Sequence, residues 1–190
     1  MTTRTLLIGG ARSGKSAHAE QLALAAMSAG KQIVYIATAQ IGNDDGDDEM
    51  RQRVAHHRAR RDASWQTVEE PLMLGDAIAR HASAQTLVLV DCLTVWLSNL
   101  LFAEGGDFPE IGTIAPPDCF ARERASLLQA LEHAAGDVIL VTNEVGQGIV
   151  PMGAVSRWFV DEAGRLNQDV ATRCERVRLI VAGLPLALKG

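Results

Sequence analysis

Only three cysteines occur in the 190 residues, Cys92, Cys119 and Cys174, and no two form a C-x-x-C pair. An odd, scattered set excludes a disulfide framework and a zinc ribbon. Three small buried hydrophobes in a reducing compartment account for them. Positive charge is not in excess either: 18 basic residues stand against 23 acidic ones, a net charge of −5. A protein that neutralises a phosphate backbone needs the opposite balance, so no nucleic-acid partner is expected. No apolar run approaches the ~18–20 residues that cross a bilayer, so no membrane span is expected. At the N-terminus only Leu6-Leu7-Ile8 is apolar before Gly9, too little for a secretory signal. The expectation is a cytoplasmic protein. Tandem repeats and low-complexity tracts are lacking as well.

What is present is ordinary globular composition, 47% hydrophobic and 22% charged. The length predicts one domain over residues 1–190, large enough to fold without metal or disulfide staples. Short apolar runs alternate with longer amphipathic segments, the pattern of an α/β sheet. Strands are predicted at Thr5–Ile8, Ile33–Ala37, Thr86–Val90, Val138–Thr142 and Arg178–Val181, with Trp65–Val68 a weaker candidate. Most are apolar at consecutive positions, as strands covered by helices on both faces should be. Helices are predicted over Ser16–Ala29, Asp48–Arg61, Leu72–Ala82, Leu93–Leu101, Phe120–Ala135 and Val155–Arg173. Gly30 is placed to stop the first. Glycines and prolines make Ala103–Pro117 a long surface loop.

The strongest motif is Gly9-Gly10-Ala11-Arg12-Ser13-Gly14-Lys15-Ser16. It fits G-x-x-x-x-G-K-[ST] with a strand before it and a helix after it. Glycines let successive backbone N–H groups turn inward as an anion nest, and the helix presents its positive N-terminus. Lys15 offers a point charge for β- and γ-phosphates, and the Ser16 hydroxyl can ligate Mg²⁺. Such a loop needs a second magnesium anchor. Asp91, at the carboxyl end of Leu87-Val88-Leu89-Val90, fits that role; it also fits the N-cap of the helix starting near Leu93. The guanine-reading tetrad N-K-x-D of regulatory GTPases is absent, and a motor ATPase is disfavoured by the short chain. A small-molecule phosphotransferase remains.

His56-His57 lies among Arg51, Arg53, Arg58, Arg60 and Arg61. Adjacent helical residues point about 100° apart, so the pair is not a two-histidine metal site. Arginine forks suit triphosphate oxygens, and neutral imidazole is a nucleophile near neutral pH. From the residues alone, a solvated basic helix with two ordinary histidines explains the segment more simply. The acidic run Asn43–Glu49 lacks calcium-loop spacing and reads as a solvated loop with Asp48 capping the next helix. Asn143-Glu144-Val145-Gly146-Gln147-Gly148-Ile149-Val150-Pro151 follows a predicted strand end, where ligands of α/β sheets sit. Glu144 is open to a role as base, magnesium partner or part of a structural turn.

These segments together resemble closely the bifunctional adenosylcobinamide kinase/adenosylcobinamide-phosphate guanylyltransferase family of cobalamin biosynthesis. The resemblance rests on the G-G-A-R-S-G-K-S loop, Tyr35–Ala39 and Asp48-Glu49-Met50 leading into His56-His57-Arg58. It continues through Trp65–Glu69, Asn99–Phe102, Thr142–Pro151 and Ala163–Gln168. It covers essentially the whole chain in order, and T-N-E-V-G-Q-G-I-V-P with the histidine pair is far more specific than the phosphate loop. One departure is the acidic stretch Gly42–Asp47, longer than usual for the family.

The resemblance implies a P-loop NTPase fold, a RecA-like, mostly parallel α/β sheet with helices on both faces, assembled as a propeller-shaped homotrimer. It implies Mg²⁺ as cofactor, GTP and ATP as nucleotide substrates, and a corrinoid, adenosylcobinamide and its phosphate, as acceptor. Phosphorylation of the aminopropanol hydroxyl comes first. Transfer of GMP from GTP through a guanylyl-histidine follows, giving adenosyl-GDP-cobinamide and pyrophosphate. By the motif the guanylylated residue is His56, with Lys15 the other catalytic residue. Nucleotide contacts carried over are Gly9, Gly10, Ala11, Arg12, Ser13, Gly14, Lys15 and Ser16, then Ala37, Thr38 and Ala39. His57, Arg58, Ala59, Arg60, Glu69 and Asp91 complete them, with Ser16 and Asp91 on the metal. Two other readings stand beside this one: a single-activity P-loop kinase for another metabolite, and a nucleotide-dependent regulatory protein without catalysis.

Overall fold

The computed structural model describes residues 2–39, 62–105, 108–149 and 152–190. Seven strands form one sheet: β1 Arg4–Gly9, β2 Gln32–Ala37, β3 Gln66–Glu69, β4 Thr86–Asp91, β5 Asp137–Asn143, β6 Arg176–Val181 and β7 Leu184–Lys189. Their order is β3-β2-β4-β5-β1-β6-β7. The first six are parallel and β7 is antiparallel to β6. Five helices are described: α1 Lys15–Ser28, α2 Leu74–His81, α3 Leu93–Leu101, α4 Asp118–His133 and α5 Ala154–Arg173.

Alternation along the strands explains the two apolar layers, because successive side chains point to opposite faces. Leu6, Val34, Ile36, Val88, Val90, Val138 and Leu140 lie under Ile78, Trp96, Leu127 and Leu166 of α2–α5. Their sequence neighbours Leu7, Ile33, Tyr35, Leu87, Leu89, Ile139 and Val141 face Ala19 and Ala23 of α1, with Trp65 beside them. The small residues of α1 let it lie close on the sheet. Gly30, at φ 91°, ends α1. Its N–H bonds to Met27 O and that of Lys31 to Ala26 O, the paired closure that a left-handed residue after a helix permits.

Two sequence expectations change. Trp65 is not the start of a strand; it is a buried core side chain, and β3 begins at Gln66. No strand was expected after Val181, yet β7 is there. Pro185 disguises it, since proline cannot serve an interior strand but is tolerated at a sheet edge. Every residue of β7 is exposed, including Leu184, Leu186 and Leu188. The cysteines are also less uniform than expected: Cys174 is buried, while Cys92 and Cys119 are only half-buried. The predicted helix Asp48–Arg61 and the acidic run before it lie outside the described residues. Among the described residues no helix is long and apolar enough to cross a membrane.

Candidate active site

Five strands end along one edge: β1 at Gly9, β2 at Ala37, β3 at Glu69, β4 at Asp91 and β5 at Asn143. The sequence-predicted residues that are described all lie at or just beyond these ends. Inter-strand steps of about 4.8 Å make this a row, with the glycine loop toward one end and Glu69 at the other. β5 stands between the loop strand β1 and the strand of Asp91, β4.

The glycine loop turns from β1 into α1 through two left-handed residues, Arg12 at φ 55° and Gly14 at φ 100°. Gly14 is the N-cap of α1, and no side chain caps that helix end. No acidic residue sits in its first turn. The orphan N–H groups of the helix start are therefore met by no side chain of its own cap or first turn. Lys15 is buried, at 7% exposure, and its Nζ donates to Gly10 O at 2.6 Å. Burial lowers its pKa from the usual lysine value, opposed by the nearby Cys92 and Asp91, which favour the charged form. This loop is a cradle for an anion, with a cation already folded into it.

Asp91 accepts a hydrogen bond from the Tyr35 hydroxyl at 3.1 Å. The capping role read for it is not found: Cys92 is the N-cap of α3, and no side chain caps that helix. The carboxylate is free of that duty because α3 begins one residue later than an Asp91 cap would require. Ser16 and Asp91 are hard oxygen donors of the kind magnesium takes. Among the described residues no group of three or more His, Cys, Asp or Glu gathers to hold a metal. Two such oxygen donors fit a magnesium ion that takes its remaining ligands from water and phosphate.

Ala37 lies opposite both Asp91 and Glu69 in register. Thr38 is fully buried, and its hydroxyl is used on the peptide beyond Asp91. It donates to Cys92 O at 2.8 Å and accepts from Cys92 N at 2.9 Å. Asn99 of α3 donates to Thr38 O at 2.7 Å and to Pro71 O at 3.1 Å. Thr38 therefore locks β2 to β4 at the level of the site, with its hydroxyl proton committed to the Cys92 carbonyl.

At the end of β5 a second polar cluster sets the shape. Thr142 donates to Asn167 of α5 at 2.8 Å, Asn143 N donates to Thr94 at 2.8 Å, and Asn167 donates to Asn143 O at 3.3 Å. Glu144 N donates to Gly9 O at 2.9 Å, tying this turn to the glycine loop. The Glu144 carboxylate accepts Gly146 N at 2.8 Å, a structural turn bond among the roles left open for it. Asn99 and Asn167 entered the sequence reading only as members of matching segments, with no role given, and Thr94 did not enter it. Their signal was there: each is a polar residue within a helix whose neighbours are core. Breaking one such buried pair leaves an unsatisfied partner, at a cost of about 1–3 kcal/mol.

His56, His57, Arg58, Ala59 and Arg60 lie outside the described residues. They belong to the segment joining β2 to β3, which leaves the sheet at the edge of the other residues, at Ala37, and, because β3 is parallel to β2, re-enters it at the opposite edge, at Gln66.

Thiol chemistry follows from burial. Burial, with Asp91 adding to it, pushes the Cys92 thiol up to about 11. Burial, with Glu175, pushes Cys174 up to about 12. Cys119 is raised too, by burial and Glu104, but it lies on a more open surface. Because the thiolate is the reactive form, iodoacetamide at pH 8 should label Cys119 first in the native protein. Cys92 and Cys174 should react only after denaturation. Peptide mass mapping checks this, and early labelling of Cys174 would contradict it.

A model of a family described as cobinamide kinase / cobinamide phosphate guanyltransferase matches residues 5–188. The bifunctional adenosylcobalamin biosynthesis protein CobP of Pseudomonas aeruginosa is 50% identical over 187 residues, 98% of this chain and 98% of that protein. The bifunctional adenosylcobalamin biosynthesis protein CobU of Escherichia coli is 42% identical over 186 residues, 97% of this chain and 98% of that protein. Among solved structures, the type III secretion ATPase EscN of enteropathogenic E. coli aligns over 95% of this chain and 43% of its own. Its TM-score is 0.55 and its identity 13%. The flagellar accessory protein FlaH of Methanocaldococcus jannaschii aligns over 98% and 78%, with TM-score 0.51 and 11% identity. These structures bear on the fold alone, a P-loop NTPase sheet.

Proposed function

The chain belongs to the cobinamide kinase / cobinamide phosphate guanyltransferase family, and from that premise we propose that one glycine loop serves both reactions. As a cobinamide kinase, the enzyme moves the γ-phosphoryl of ATP or GTP to a hydroxyl of adenosylcobinamide. As a guanylyltransferase, it moves GMP from GTP to the phosphate so formed. The observation that carries the shared-loop reading is the uncapped, acid-free start of α1 with Lys15 folded against Gly10.

The backbone N–H groups of Gly9–Ser16 and the Lys15 ammonium hold the β- and γ-phosphates. Ser16 and Asp91 hold magnesium, which when bound neutralises phosphate charge. In the kinase step the acceptor hydroxyl attacks the γ-phosphorus, the bond to the β-phosphate oxygen breaks, and the hydroxyl proton leaves to solvent or a base. In the transfer step, neutral His56 attacks the α-phosphorus of GTP and pyrophosphate leaves, its charge met by Lys15, the loop amides and nearby arginines. The acceptor's phosphate oxygen then attacks the same phosphorus, the P–N bond breaks, and His56 is restored. Ala37, Ala39, His57–Arg60 and Glu69 flank the nucleotide in this reading. The chain between β2 and β3 carries the histidine pair and begins beside Asp91, a location that supports it.

The direct test is incubation with GTP labelled at the α-phosphate, then denaturation and mass mapping. Covalent GMP on a histidine supports the reading; turnover of both steps with no protein-bound label overturns it.

We further propose a homotrimer, from the family resemblance. Sedimentation should give three times the 20.4 kDa chain; a monomer across micromolar concentrations would contradict it.

A further inference from the structure

The glycine loop does not stand alone. β6 pairs with β1 only as far as Leu179 opposite Ile8, and the chain then continues alongside the loop. Val181 pairs with Leu184, leaving Ala182 and Gly183 as a two-residue turn. Both are left-handed, at φ 52° and 79°, the torsions that let a tight hairpin follow the twist of its strands. The tip of this hairpin is seated on the loop. Gly183 N–H donates to Ser13 O at 2.8 Å. A Cβ on Gly14 would lie 3.0 Å from Gly183 Cα, and one on Gly9 would lie 2.4 Å from Ile180 O. Two loop glycines are thus needed because the hairpin lies against them, apart from any role toward phosphate.

The loop has reason to need a support. The left-handed torsion at Arg12, φ 55° on a residue with a side chain, persists only where the surroundings hold it. An anion nest binds well only if its N–H groups are already aimed, since ordering them on binding weakens affinity. From these contacts we infer that the β6–β7 hairpin tip is a buttress that holds the phosphate loop in its binding shape, with Gly183 as a positioning residue. The inference rests on reading Gly9–Ser16 as the nucleotide loop. It gives the otherwise exposed terminal strand β7 a functional role, because β7 is what carries the turn.

The experiment compares two substitutions at one position. Gly183→Pro removes the N–H donor and cannot take a positive φ. Gly183→Asn keeps the donor, tolerates the left-handed region and enters open space, since nothing lies within 4 Å of a Cβ there. The affinity of the full-length protein for ATP and GTP with magnesium is measured by titration calorimetry, with KM and kcat for nucleotide and for cobinamide. Gly183→Pro should weaken nucleotide binding about tenfold, as loss of one well-aimed hydrogen bond predicts, with the nucleotide KM raised and the cobinamide KM unchanged. Gly183→Asn should stay within about twofold. Amide hydrogen exchange of the parent chain gives a second readout independent of any variant: exchange at Gly183 should slow on saturation with a non-hydrolysable ATP analogue. A Gly183→Pro protein that melts earlier yet binds nucleotide normally overturns the buttress, as does unchanged exchange at Gly183. Failure of the parent chain to bind either nucleotide would instead overturn the nucleotide reading beneath it.

Discussion

Lys15→Ala is expected to abolish both reactions while leaving the fold intact. The side chain is buried and makes one polar contact within the loop, to Gly10 O. Removing it takes away the cation that meets the β- and γ-phosphates, and nothing in the kinase or the transfer step replaces it. Loss of a preorganised charge at such a position lowers kcat/KM by on the order of 10²–10³-fold. Circular dichroism should be unchanged, because the surrounding layer, Leu7, Ala19, Ala23 and Val141, is apolar and untouched. A second readout follows from pH. Burial lowers the Lys15 pKa, so the parent protein should begin to lose nucleotide affinity on the alkaline side before an ordinary lysine titrates. Bound triphosphate favours the charged form, so at saturation the same loss should move to higher pH. In Lys15→Ala that alkaline limb should vanish. Titration of nucleotide affinity against pH checks it, and normal kinase turnover in Lys15→Ala would remove the loop from the mechanism.

His56→Ala is expected to eliminate covalent GMP and guanylyl transfer, while the kinase step survives. The kinase step needs the loop, magnesium and an acceptor hydroxyl, none of which involves an imidazole. Loss of a nucleophile should slow transfer by on the order of 10⁴-fold or more. In the parent protein, transfer should fall in acid as the ring protonates, around the ordinary imidazole pKa of about 6.5. Arginines that depress this value would move the fall lower. A GMP adduct on histidine would be a phosphoramidate, so label should survive mild alkali and be lost in acid. His57→Ala should be milder if the segment takes the helix that the sequence predicts over Asp48–Arg61, since adjacent helical residues point about 100° apart. Label retention in the two variants decides the matter. Label kept by His56→Ala and lost by His57→Ala would reverse the assignment within the pair; label kept by both would end it.

How much was readable beforehand depends on how locally each feature is encoded. The strands β1, β2, β4, β5 and β6 were readable because a parallel strand covered on both faces is apolar at nearly every position, and such runs stand out. The helix α3 was readable to its ends. The glycine loop was readable because its chemistry depends on contiguous residues. The structural bonds of Thr38 were less so, because nothing near it in the chain tells what its hydroxyl meets. Its actual partner, the Cys92 peptide, is 54 positions away. The strand β7 was hidden by Pro185, whose acceptability depends on being at an edge, and edge position is a property of the whole sheet.

The sequence by itself determined the class of the sheet, the glycine loop between β1 and α1, the acid at the end of β4 and the family to which the chain belongs. Each of these is written in neighbouring residues or in motifs kept in order. Only the tertiary structure decided what surrounds the loop. It put β5 between β1 and β4, used Thr94, Asn143 and Asn167 to fix the turn beside Gly9, and set Ile180 against Gly9 and Gly183 against Gly14. These contacts join residues far apart in the chain, such as Thr94 with Asn143 and Gly14 with Gly183. No local pattern encodes such a meeting, because it exists only once the strands have taken their order in the sheet.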